Sequence, residues 1–211
     1  MPSGLKVQIL SDAPMNKKRV GFFRIPKTAS LSLAFALNDL CEMINHVEEA
    51  VHGETLRKFR RDNPGVFVFT FVRNPFDRLV SAYSWIAQQD TNVNLKAIEW
   101  KKHTDPYESF EKFVVGEIGG GKGLGVMHLR TQHSWIADGK LMVDWVGKFE
   151  SLQGDVARLC GEMGWPVVQL GKWNSSVNRK DYRGYYTRET AEIVAKAYAK
   201  DFELGGYSTQ L

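Results

Sequence analysis

Lys27, Thr28, Ser30 and Ser32 fall within one stretch of eight residues, IPKTASLS at 25–32, which follows the apolar run GFFRI and leads into LAFAL. One ammonium and three hydroxyls between a strand and a helix suit an anion. The first backbone N–H groups of a helix lack partners within it, and the helix dipole puts positive charge there, so phosphate or sulfate is favoured. A polar turn with no ligand is written with the same residue types, and the stretch alone leaves both readings open.

A second stretch, RNPFDRLVS at 73–81, makes the same crossing. Arg73 stands at the carboxyl end of a strand, and Ser81 lies two helical turns further on, so both could reach one anion. The alternative is structural: Arg73 pairs with Asp77, Asn74 caps the helix and Ser81 is polar surface. Two such crossings in one sheet suggest a ligand with two phosphate-like groups. The Gly-rich run at 116–123 competes for this role. GEIGGGK matches the first seven positions of a nucleotide phosphate loop, but Gly123 stands where Ser or Thr should hold magnesium. The preceding YESFEKFVV reads as helix, not as buried strand, so this run reads as a mobile loop.

The elements that must carry these residues follow from periodicity and capping. Residues 19–25 read as a buried strand, and 30–41 as a helix with apolar residues almost all round. VFVFTFV at 66–72 is the strongest strand signal. Asn74 is then an N-cap and Pro75 a first helical residue, with Phe76, Leu79, Val80, Tyr83 and Ala87 at helical spacing. A short helix is expected over 107–115, a strand over 142–149, a helix over 152–163 and a last helix over 187–202. Strands alternating with helices predict an α/β layered fold with a mainly parallel sheet, whose ligands sit beyond the carboxyl ends of the strands.

Composition bounds the rest. The 211 residues suit one domain, with 43% hydrophobic and 25% charged residues. The net charge of +4 is mild, and the dense basic runs, KKR at 17–19 and RKFRR at 57–61, read as a loop and a solvated helix face, so no nucleic-acid partner is expected. Cys41 and Cys160 make neither a disulfide framework nor a metal quartet and read as buried thiols. With no signal-like start and no membrane-length apolar run, the chain reads as cytoplasmic. A proton-accepting role falls to one of five histidines, 46, 52, 103, 128 and 133, or to a carboxylate. His128 and His133 could line a cleft or be packed, and Trp135 reads as core.

IPKTASLS resembles the 5′-phosphosulfate loop of sulfotransferases that use 3′-phosphoadenosine 5′-phosphosulfate (PAPS), and FVRNPFDRLVSAY resembles their 3′-phosphate motif. TQHSWIADGKLMVDWVGKFESLQGD is similar to the family's Q-x-x-W segment and the stretch after it, and NSS…DYRGYYTRETAEIVAKAYAKDFELGGY to its C-terminal segment. The likeness is to the carbohydrate branch, which includes heparan-sulfate 2-O-sulfotransferases and short bacterial relatives. It covers most of the chain and leaves about residues 90–125 unmatched.

The resemblance implies a three-layer nucleoside-kinase-like α/β fold, one sulfotransferase domain over 1–211, and 90–125 as an acceptor-site insertion or mobile segment. It implies transfer of the sulfuryl group of PAPS to a hydroxyl of a glycan or small molecule, with PAP as product and no metal required. Lys27, Thr28, Ala29, Ser30, Leu31 and Ser32 would hold the 5′-phosphosulfate, Arg73 and Ser81 the 3′-phosphate, and Arg183 of the loop at 178–183 would close over the nucleotide. Lys27 would also stabilise the leaving group. His52 occupies the place of the family's catalytic histidine. Glu54 stands where the heparan enzymes carry a second histidine, so it is either the base itself or a helix N-terminal carboxylate. A nucleotide-dependent phosphotransferase of related fold and a non-catalytic nucleotide-binding protein are the competing readings.

Overall fold

The computed structural model describes residues 18–44, 54–171 and 180–211. The chain gathers into two compact units, Met1–Val72 with Ile136–Ser175 and Arg73–Trp135 with Ser176–Leu211.

The first unit carries the sheet. Strand β1 (Arg19–Phe23) leads through helix α1 (Ser30–Leu37) to β2 (Glu42–Ile44), and helix α2 (Glu54–Asp62) leads to β3 (Phe67–Val72). A two-residue hairpin, β4 (Ala137–Asp138) and β5 (Lys140–Leu141), precedes β6 (Trp145–Lys148) and helix α7 (Leu152–Met163). The sheet runs β2-β1-β3-β6, parallel throughout, with Phe23 opposite Thr70 and Phe71 opposite Gly147. The α/β class expected from the alternation of strands and helices is therefore the class observed.

Period-2 alternation decides what each strand buries. Val20, Phe22, Phe69 and Phe71 point to one face, where they meet Leu33 and Leu37 of α1 and Val156, Leu159 and Cys160 of α7. Phe22 stacks on Phe69 with centroids 4.7 Å apart. Each such ring contributes about 1.5–3 kcal/mol by leaving water. On the opposite face, Phe59 of α2 packs edge-on to Phe23. Helices thus flank the sheet on both sides. The one polar side chain inside β3, Thr70, is fully buried and donates to the Phe23 carbonyl at 2.6 Å. Both cysteines are buried free thiols, as expected from their apolar surroundings.

Boundaries differ where the chain must turn. Helix α1 stops at Leu37, four residues before the expected end, because the chain must reverse to place β2 beside β1. Leu40 and Cys41 stay buried without being helical. Helix α7 has the expected bounds, ended by Gly164 in the left-handed region. In α2, Arg60 is no solvated decoration. It donates to Met142 and Val66 carbonyls at 2.8 and 2.9 Å and pairs with Asp144, so it fastens the starts of β3 and β6.

The second unit is helical. It holds α3 (Pro75–Ala87), α4 (Lys96–Lys101), α5 (Phe110–Phe113) with a π-helical turn over Val114–Ile118, the start of α6 (His133–Ile136), α8 (Arg188–Ala197) and α9 (Ala199–Gly205). Phe76, Val80, Phe113, Leu129, Val194 and Phe202 form its core. The expected last helix is two, broken at Tyr198. Tyr198 is buried and donates to the Leu129 carbonyl at 2.6 Å, and the break turns Asp201 inward. The Gly-rich run is not the mobile loop expected over its whole length: residues 116–118 lie in the π turn, with Glu117 and Ile118 buried. A helix precedes it, not a strand, which is the wrong context for a nucleotide phosphate loop.

Candidate functional site

The residues at 25–32 form a turn between β1 and α1. Lys27 and Ala29 have φ of 71° and 59°, the described non-glycine residues in the left-handed region. For residues with a Cβ this conformation costs about 1–2 kcal/mol each and persists only where the surroundings enforce it. Left-handed residues inside a strand–helix turn aim successive N–H groups at one concavity, which suits an anion. Ala29 occupies the N-cap of α1 and supplies no side-chain acceptor, so no cap hydrogen bond covers the helix's first N–H groups. Thr28 is buried, and its hydroxyl donates to the Ile25 carbonyl at 2.8 Å, fastening the turn from inside. Ser32 is buried, Ser30 half-buried and Leu31 exposed.

The residues at 73–81 belong to the second unit. Asn74 caps α3 by accepting from the Phe76 N–H at 3.0 Å, with Pro75 at the first helical position. Arg73 donates through Nε to Asp77 Oδ2 at 2.8 Å, and both residues are 7% exposed. Asp77 and Ser81 stand four residues apart on α3 and so share a helix face, with Ser81 half-buried. The structural role anticipated for Asp77 and Asn74 is therefore present, and it leaves Arg73 held along the face that carries Ser81.

Arg73 is also held by its backbone. Gln132 Oε1 accepts from the Arg73 N–H at 2.9 Å, and Gln132 Nε2 donates to the Arg73 carbonyl at 2.7 Å. The Gln132 and His133 N–H groups both donate to the Asp201 carboxylate at 2.7 Å. Burial pushes Asp201 above the usual carboxylate range, while the His133 N–H and the charge of Arg78 pull it back. Burial likewise lowers the Arg78 guanidinium, which donates to the Arg130 and His128 carbonyls.

Sequence reasoning missed the roles of Gln132 and Asp201. A signal for the second was visible: Asp201 shares a face with Tyr198 and Phe202, and an acid on an apolar helix face needs a buried partner.

The remaining candidates are placed as follows. Arg183 is exposed, lies over the Tyr182 ring at 4.9 Å and pairs with Asp181 at 3.1 Å. His52 and His46 lie outside the described residues, as do Asn178 and Arg179. Glu54 is the first residue of α2. His128 is packed between the Trp85 and Trp100 rings at 4.4 and 4.7 Å, the structural alternative weighed for it. Trp135 is half-buried beneath Arg130 at 5.4 Å. His103 Nδ1 meets the buried Glu117 at 2.6 Å, and Tyr107 donates to the same carboxylate at 2.9 Å. Among the described residues, no group of three or more His, Cys, Asp or Glu side chains is placed to hold a metal ion. No described helix is long and apolar enough to cross a membrane.

A family model for the sulfotransferase family matches residues 15–208. The chain belongs to the sulfotransferase family. Its chemistry is therefore sulfuryl transfer, and the bounds of the match enclose 90–125, the segment the resemblance had left unassigned. The sulfotransferase is also similar to an uncharacterized protein of Archaeoglobus fulgidus, 26% identical over 102 residues, which are 48% of this chain and 71% of that protein.

Proposed function

We propose that this sulfotransferase takes its sulfuryl group from PAPS and passes it to a hydroxyl of a carbohydrate or glycoconjugate by in-line displacement. The turn at 25–32 carries the reading, because two left-handed residues ahead of an uncapped helix are a costly arrangement that an anion repays. In this reading Lys27, Thr28, Ala29, Ser30, Leu31 and Ser32 take the 5′-phosphosulfate, mainly through backbone N–H groups and the two serine hydroxyls. Arg73 and Ser81 take the 3′-phosphate, and Arg183 closes over the nucleotide.

The acceptor oxygen attacks sulfur as the bond from sulfur to the 5′-phosphate oxygen breaks. The electron pair leaves on that phosphate, and Lys27 meets the developing charge. His52 takes the acceptor proton, with Glu54 the other candidate. Positioning and charge stabilisation supply most of the rate, as in phosphoryl transfer. The segment 90–125, with Trp100, Lys101, Lys102 and His103, shapes the acceptor site within a single sulfotransferase domain.

The test is incubation with radiolabelled PAPS and an array of sugars, lipids and phenols. Label transfer that disappears in Lys27→Ala and His52→Ala supports the reading. PAP binding without transfer to any acceptor favours a non-catalytic nucleotide-binding role. Stabilisation by ATP and magnesium, but not by PAP, overturns it in favour of a phosphotransferase.

A further inference from the structure

We propose that Gln132, braced by Asp201, is the positioning residue that sets Arg73 for a 3′-phosphate; the proposal rests on the reading of Arg73 given above. Arg73 is the first residue after β3, where the ladder hydrogen bonds of the sheet end. Its peptide groups are nevertheless satisfied, by one side chain 59 residues away in sequence. The Gln132 amide is fully buried and meets both the N–H and the carbonyl of Arg73, at 2.9 and 2.7 Å.

That pairing does what a neighbouring strand would do: it fixes the position of the Arg73 backbone and its rotation. An amide side chain sets a donor and an acceptor side by side without needing to be protonated. Glutamate would set an acceptor against the Arg73 carbonyl, and methionine would satisfy neither group.

The clamp is itself braced. Asp201 is fully buried and accepts the N–H groups of Gln132 and His133, both at 2.7 Å, so the start of α6 is held by α9. At the other end of Arg73, Asp77 holds Nε. Backbone and guanidinium are thus each fixed by a buried partner. A guanidinium ordered in advance spares the ligand the cost of ordering it, so its loss falls on whatever group the arginine binds. A general weakening of the fold would lower affinity for all nucleotides alike. A positioning role lowers affinity only for those that carry a 3′-phosphate.

The experiment compares binding of PAP and of adenosine 5′-monophosphate, which lacks the 3′-phosphate, to the wild type, Gln132→Met and Asp201→Asn by titration calorimetry. Gln132→Met is expected to lose about tenfold or more in PAP affinity while adenosine 5′-monophosphate changes by less than about twofold. Asp201→Asn is expected to shift the ratio in the same direction by less, and it serves as the deciding variant where Gln132→Met does not fold. Folded variants that keep the wild-type ratio overturn the role of Gln132 alone. A wild type that binds PAP no more tightly than adenosine 5′-monophosphate overturns the reading of Arg73 beneath it.

Discussion

Asp77 holds the guanidinium of Arg73 through Nε at 2.8 Å, one helical turn from where the arginine leaves the sheet. Both side chains are nearly excluded from water, at 8% and 10% exposure. Removing one member of a buried pair leaves the other charge without compensation, at about 3–5 kcal/mol. Arg73→Ala is therefore expected to lower unfolding free energy by roughly that amount, and the double variant Arg73→Ala with Asp77→Ala to recover part of it. Urea melts of the four proteins check this; a loss in the double variant equal to the sum of the two single losses would show that the pair carries no coupling.

Ala29 predicts a gain. Its φ of 59° is a conformation that glycine adopts without steric cost. Ala29→Gly should raise stability by about 0.5–1 kcal/mol, since relief of backbone strain exceeds the added freedom of the unfolded chain. Thermal melts measure the gain, and PAP titration should find nucleotide binding preserved because the loop keeps its shape.

Gly147 predicts a loss. A Cβ there would sit 2.4 Å from the Phe71 ring, inside the stack of aromatic residues on β3. Gly147→Ala should cost about 1–3 kcal/mol through overpacking. Trp145 is the sensitive reporter, because its ring lies 5.4 Å from Phe71 and its fluorescence should change with the repacking.

Asp201 predicts a pH dependence. Burial raises its folded pKa above the ordinary aspartate value. A raised carboxylate contributes stability that is present in full below the unfolded pKa and is lost as pH rises through the folded pKa. Asp201→Asn removes that titration. The stability of Asp201→Asn relative to wild type should therefore improve as pH rises from about 4 to about 7, whatever its offset from the lost hydrogen bonds. Urea melts across this range give the slope, and a slope of the opposite sign would mean that the two N–H bonds and Arg78 outweigh burial.

Much of the architecture was legible because its causes are local. VFVFTFV forms β3 within one residue of expectation, Asn74 and Pro75 start α3, and α7 has the bounds its apolar spacing indicates. The Gly-rich run was set aside for a missing hydroxyl and a missing strand, and the short helix before it agrees, although its first residues are π-helical and not the loop expected. The stretch 25–32 was legible as a motif. Its left-handed backbone was not, since alanine and lysine carry no mark of positive φ as glycine does.

The amino-acid sequence alone determined the alternation of strands and helices, the caps and the family, because period, turn chemistry and motif spacing are properties of neighbouring residues. Only the tertiary structure decided which groups hold Arg73, where the last helix breaks and what Arg60 does. Each of those depends on a backbone carbonyl or N–H, or a buried charge, brought from far along the chain. Backbone groups are the same at every residue, so a sequence cannot say which of them a buried Gln132, Tyr198 or Arg60 will find; only the packing that removes water from them makes the choice.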